Sequence, residues 1–158
     1  MDEKEVLELV IRPALTLLPE RMRSRDAERM LVAIGLQESG FAGRVQRSGP
    51  AKGFWQFERT GGVQGVLEHH ATADLAAHLC VRLRYNADSV LIYQALEHND
   101  LLAAIFARLL LWQVPAPLPG PDDIQESWRQ YADDSWRPGK PHRDRWDDSW
   151  GRACRAVV

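Results

Sequence analysis

Apolar residues recur along this chain at the spacing of a helix rather than the alternation of a strand. Val6, Leu7, Val10, Ile11, Ala14 and Leu17 form one stripe, and Pro13 predicts a kink or a split in that first helix. Ser24 is placed to cap a second helix, whose apolar positions Ala27, Met30, Leu31, Ile34 and Gly35 lead directly to Glu38. Residues 39–52 lose the period and hold Gly40, Gly43, Gly49 and Pro50, so they predict a loop. Gly61, Gly62 and Gly65 leave the next segment a short turn or one turn of helix. Thr72 or Asp74 opens a helix with Leu75, Ala76, Leu79, Cys80 and Leu83 on one face. Val90, Leu91, Tyr93, Gln94 and Leu96 suggest another, and Asn99 or Asp100 caps a strongly apolar helix through Trp112. The run VPAPLPGP, residues 114–121, stops regular structure and acts as a stiff connector. Residues 124–131 and 143–156 then read as short helices. No alternating strand, repeat or low-complexity tract interrupts this pattern, and the predicted fold class is mostly α.

Size and composition narrow the picture further. A chain of 158 residues with 45% hydrophobic and 27% charged content predicts one globular domain with a real core. The net charge of −2 lacks the strongly basic face that nucleic acid demands. One concentrated positive run exists, RPGKPHRDR at residues 137–145, and Asp133, Asp134, Asp147 and Asp148 flank it. That pattern predicts a self-neutralising, solvated surface, with a polyanion site as the alternative. Cys80 and Cys154 are too few for a disulfide framework and too isolated for zinc; Cys80 reads as a small core residue, and one bridge between the two stays open. The start, MDEKEVLELV, is acidic and does not resemble a signal peptide, so the chain is expected to be made in the cytoplasm. Its longest apolar run, residues 101–114, is broken by Arg108 and is too short to span a membrane.

Candidate chemistry concentrates in GLQESGFAGRVQRSGPAKGFWQF, residues 35–57. Glu38 ends an apolar stripe at a helix C-terminus, where the helix dipole opposes an anion, and the next residues, Ser39 to Phe41, bring no basic partner. Both effects favour the protonated carboxyl, as a general acid near neutral pH requires. The alternative is a helix-end glutamate turned to water. Downstream, Gly53-Phe54-Trp55-Gln56-Phe57 joins a flexible backbone, flat apolar faces and an amide. Sugars stack on such faces and hydrogen-bond to such amides, although a core aromatic cluster with a capping glutamine has the same composition.

Together the two segments resemble the soluble lytic transglycosylase family of the goose-lysozyme-like superfamily. Glu38-Ser39-Gly40-Phe41 matches the family's Glu-Ser-x-aromatic motif. Gly53-Phe54-Trp55-Gln56 matches its Gly-Leu-Met-Gln element in position, at the family's usual distance from the glutamate. The resemblance covers about a quarter of the chain directly. It implies a lysozyme-like catalytic domain over residues 1–114. The connector and a Trp-rich helical segment, residues 115–158, would pack on the same domain. It also implies cleavage of peptidoglycan between N-acetylmuramic acid and N-acetylglucosamine by Glu38 alone, without metal or cofactor, leaving a 1,6-anhydro end. Ser39 would support the loop or the substrate side, and Gly53, Phe54, Trp55 and Gln56 would line the sugar groove. With no export signal, a phage or prophage product fits best, its partners being glycan strands and other virion or lysis proteins.

The family's third element, an Ala-Tyr-Asn-Ala-Gly run whose tyrosine lies near the glutamate, is not matched: the comparable stretch reads Leu102-Ala103-Ala104-Ile105-Phe106-Ala107. Tyr85-Asn86-Ala87 comes too early, and Tyr93 is the other candidate for the missing hydroxyl. A hydrolase would need a second carboxylate; Glu58 is the nearest, with Asp74 behind it, and an exposed Glu58–Arg59 ion pair is the simpler account. His69, His70 and His78 lack the spacing of metal ligands. Trp128, Trp136, Trp146 and Trp150 either wrap the core or extend the groove. A lysozyme-type hydrolase and a non-catalytic phage structural protein are the competing functions.

Overall fold

A computed structural model describes all 158 residues as a mostly helical fold without strands. The first helix, α1, runs over residues 3–17, opened by an Asp2–Glu5 capping box. Pro13 does not break it. The turn preceding the proline, Leu7–Ile11, is wider than α-helical, which relieves the clash a proline ring makes with the preceding turn. The central helix α2, Arg25–Glu38, is capped by the Ser24 side chain, which accepts from Ala27 N as the sequence predicts. After the loop, a wide turn at Arg59–Val63, broken at Gly61, leads into the short α3, Gln64–Glu68. Then come α4, Ala73–Arg82, α5, Ser89–Ala95, and α6, Asp100–Trp112, the last capped by Asn99. Thr72 precedes α4 without capping it; its hydroxyl donates to Val66 O instead. Past the proline-rich connector, α7 covers residues 124–135 and α8 covers Arg143–Ala156.

One continuous buried cluster contains Val6 of α1, Ile34 of α2, Ile105 of α6 and Ala153 of α8, so a single core serves both ends of the chain. The tail is therefore not an appendage. Residue 114 marks a connector, and α8 lies along α2. Gln37, near the end of α2, is held from three directions. Its Nε2 donates to His142 O at 2.9 Å, its Oε1 accepts from Ser149 Oγ at 3.2 Å, and its carbonyl accepts from Arg145 at 2.8 Å. Arg152 closes the far side through a two-pronged bond to Glu3. Both cysteines are free, Cys80 within the core. No helix is long and apolar enough to cross a membrane.

Candidate active site

The last residue of α2 is Glu38, and the chain turns sharply behind it. Gly40 and Phe41 take φ of 61° and 55°, which folds the Phe41 ring back beneath the helix end. That fold is possible because position 35 has no side chain: a Cβ on Gly35 would lie 2.1 Å from Phe41 Cε1. Ser39 ties the turn to the next segment, its hydroxyl donating to Phe54 O at 2.7 Å and accepting from Phe41 N at 3.1 Å. It supports the loop and does not face the main cleft.

The aromatic run divides between core and cleft. Phe54 and Trp55 are 1% and 0% exposed, packed edge-on against Phe41, and Trp55 Nε1 donates to Leu31 O. These two side chains are therefore corrected from sugar-binding faces to the buried floor under Glu38. Gly53, at φ 76°, is also buried; a Cβ there would press on Leu96 O at 3.0 Å. Gln56 takes φ 51° and does reach the cleft, where its amide donates to Gly53 O. Arg44 anchors the loop from outside, bonding Asp100 through two nitrogens at 2.7 Å each.

Tyr93 lies elsewhere. Its hydroxyl bonds Pro50 O on the surface, and Lys52 sits over its ring. Tyr85 accepts from Asn99 Nδ2. The hydroxyl beside the acid belongs to Tyr131, which donates to Glu38 Oε1 at 2.7 Å. It comes from the tail, 93 residues away in sequence. Its ring is stacked on Trp146, centroids 4.8 Å apart and planes 5° from parallel, with Trp150 beyond. The second half of α7, Gln130–Ser135, is a widened turn in which Trp136 N bonds Tyr131 O. That winding brings Tyr131, Ser135 and Trp136 onto one side.

A cleft of about 690 Å³ opens over these groups, within the usual size of ligand sites. Glu38, Gln56, Glu58 and Tyr131 line it, together with Gln46 and Trp136. Trp136 is half-buried, braced by its Nε1 bond to Trp55 O and edge-on to Phe57. It is the flat apolar face that the sequence reading assigned to Phe54 and Trp55. Glu58 is exposed at the rim and does not pair with Arg59. Asp74 lies on α4 and takes no part in lining the cleft.

Burial raises the Glu38 carboxyl from 4.5 to about 7, against the lowering influence of the Tyr131 hydrogen bond and the nearby Arg145 charge. Burial and the Glu38 carboxyl push the Tyr131 hydroxyl up, so it remains a donor. No family model, curated protein or solved structure matches this chain. What the cleft does must be read from its own chemistry. It holds the Glu38 carboxyl raised to about 7, the Tyr131 hydroxyl that bonds it, the amides of Gln46 and Gln56, the Trp136 indole and a group of cations that includes Arg137 and Lys140. That set can give a proton to a buried ether oxygen and take one back. His69 and His70 stack on each other at 4.3 Å, and no three potential ligands converge on a metal position.

Proposed function

We propose that this chain is a lysozyme-like enzyme that cleaves peptidoglycan between N-acetylmuramic acid and N-acetylglucosamine. The observation that carries the reading is Glu38: a carboxyl raised to about 7, held by a tyrosine hydroxyl on the floor of a cleft lined by amides and one indole. The Glu38-Ser39 and Gly53–Gln56 elements, with their resemblance to lytic transglycosylases, support the same chemistry. Protonated Glu38 gives its proton to the glycosidic oxygen as the bond to C1 of muramic acid breaks. The carboxylate then accepts the proton of that sugar's 6-hydroxyl as the oxygen attacks C1, which closes the 1,6-anhydro ring. Tyr131 fixes the carboxyl's orientation through both steps, and Trp136 offers a sugar ring its flat face.

A second reading, hydrolysis, draws on Glu58 at the rim of the same cleft, where a carboxylate could activate water. Mass spectrometry of soluble fragments from purified sacculi separates the two. Anhydro-muropeptides from the wild type, and none from Glu38→Gln, are the expected result. Reducing-end products about one water heavier would move the assignment to hydrolysis and make Glu58→Gln inactive. No fragments from a folded wild-type protein would overturn both.

A further inference from the structure

Two cations on the wall of the cleft, Arg137 and Lys140, have no carboxylate partner, and a third, Arg145, has only Glu38 nearby. The sequence pattern predicts that residues 137–145 neutralise themselves against the flanking aspartates, and the fold does so for Arg143 alone among the run's arginines and lysine. Asp147 pairs with Arg143, Asp134 with Arg129, and Asp148 lies 3.9 Å from Arg152. No ion pair includes Arg137, Lys140 or Arg145, and all three line the cleft beside His142. The carboxylates lining that cleft are Glu38, which is protonated below about pH 7, and Glu58. A chain of net charge −2 thus turns a cationic wall, only partly balanced by these two groups, toward its candidate site.

Backbone hydrogen bonds hold the two arginines of the wall in place without consuming their charge. Arg137 Nε donates to Asp133 O at 3.1 Å, and Arg145 donates to Gln37 O at 2.8 Å. Gln37 in turn holds His142 O. Unpaired like charges in a concave surface repel one another and concentrate a positive potential. Such a wall gains more from an anionic ligand than from a neutral sugar chain, which offers it hydrogen-bond acceptors but no charge.

We propose that Arg137 and Lys140 bind carboxylates carried on the muramic acid residues of the glycan, so that the cleft selects ionised strands over neutral ones. The inference rests on the glycan-cleaving reading. Two sources supply the carboxylate: the peptide stem, or the lactyl group left free when a stem has been removed by amide hydrolysis. Either carries its anion on the lactyl arm of the sugar whose bond is cut, directly in one case and through the peptide in the other.

Binding is measured by calorimetry with the Glu38→Gln protein, which removes turnover from the result. The ligands are peptide-bearing strands, the same strands with carboxyls converted to methylamides, stem-free strands with free lactyl carboxylates, and neutral chito-oligosaccharides. Exposed ion pairs are each worth a few-fold, so ionised strands should bind on the order of tenfold more tightly than the methylamides. That difference should shrink to about twofold in Glu38→Gln/Arg137→Gln/Lys140→Gln and at high salt. Tighter binding of peptide-bearing strands assigns the wall to the stem, and tighter binding of stem-free strands assigns it to the lactyl group. Equal binding of ionised and neutralised strands overturns the inference, as does equally tight binding of DNA, which would make the wall a general polyanion surface. Cleavage by the wild type without charge preference overturns this inference alone. Failure to bind any glycan, with circular dichroism showing a folded protein, overturns the glycan reading as well.

Discussion

Glu38 is governed by burial working against two weaker influences, and each can be removed in turn. Tyr131→Phe deletes the hydrogen bond that lowers its pKa while keeping the ring stacked on Trp146. The carboxyl should then titrate higher, so the alkaline limb of the pH–rate profile moves up while the rate itself falls roughly tenfold from lost orientation. A limb that stays in place, or moves down, would show that Tyr131 does not act on the acid. Burial also links Glu38 to stability. A carboxyl raised from 4.5 to about 7 favours the folded state fully below 4.5, and this advantage is lost as pH rises through 7. Glu38→Gln should therefore match the wild type near pH 4 and exceed it at pH 8 by on the order of 2 kcal/mol in chemical denaturation. At this scale the nearness of Glu38 and Gln56 in one cleft was legible because both lie in one segment with a recognisable spacing. Tyr131 was not: nothing local to 131 marks it as a neighbour of 38. The dense aromatics of the tail were the available signal, and they admit a core as readily as a site.

The end of α2 carries the clearest conflict between local preference and packing. Alanine in place of a mid-helix glycine ordinarily adds about 1 kcal/mol. Gly35→Ala should instead destabilise by roughly 1–3 kcal/mol, because its methyl enters the space of the buried Phe41 ring. Thermal melts of the variant test the sign directly, and a rise in Tm would refute the account. Helices α2 and α6 were readable from apolar period and caps, since Ser24 and Asn99 perform the capping their identities suggest. Period does not report turn width, so the wide turn that lets α1 pass Pro13 was invisible. Nor does composition tell which way a loop faces. Phe54 and Trp55 both enter the core, and only Gln56, where the chain turns at φ 51°, reaches the cleft.

Across the whole molecule, the tail works as part of the wall and of the core. Trp146 is fully buried between Tyr131, Trp128 and Trp150, with its Nε1 bonded to Ser127. Trp146→Ala should cost about 3–5 kcal/mol and shift a single cooperative unfolding transition rather than split it. A separate low-temperature transition in calorimetry would show that residues 115–158 fold by themselves. The mostly helical class followed from the pattern of the chain. The assembly of the cleft did not, because its walls come from α2, the glycine-rich loop and the tail, and no short-range rule joins segments so far apart.

The bond between Tyr131 and Glu38 also sets an order in time. A ribosome releases the chain from its start, so the acid emerges long before the hydroxyl that orients it and the helix that clamps Gln37. A nascent chain reaching only Val114 still lacks Tyr131, Trp136 and every partner that holds the Gln37 side chain. The candidate site is completed only once residues 131–149 have been made.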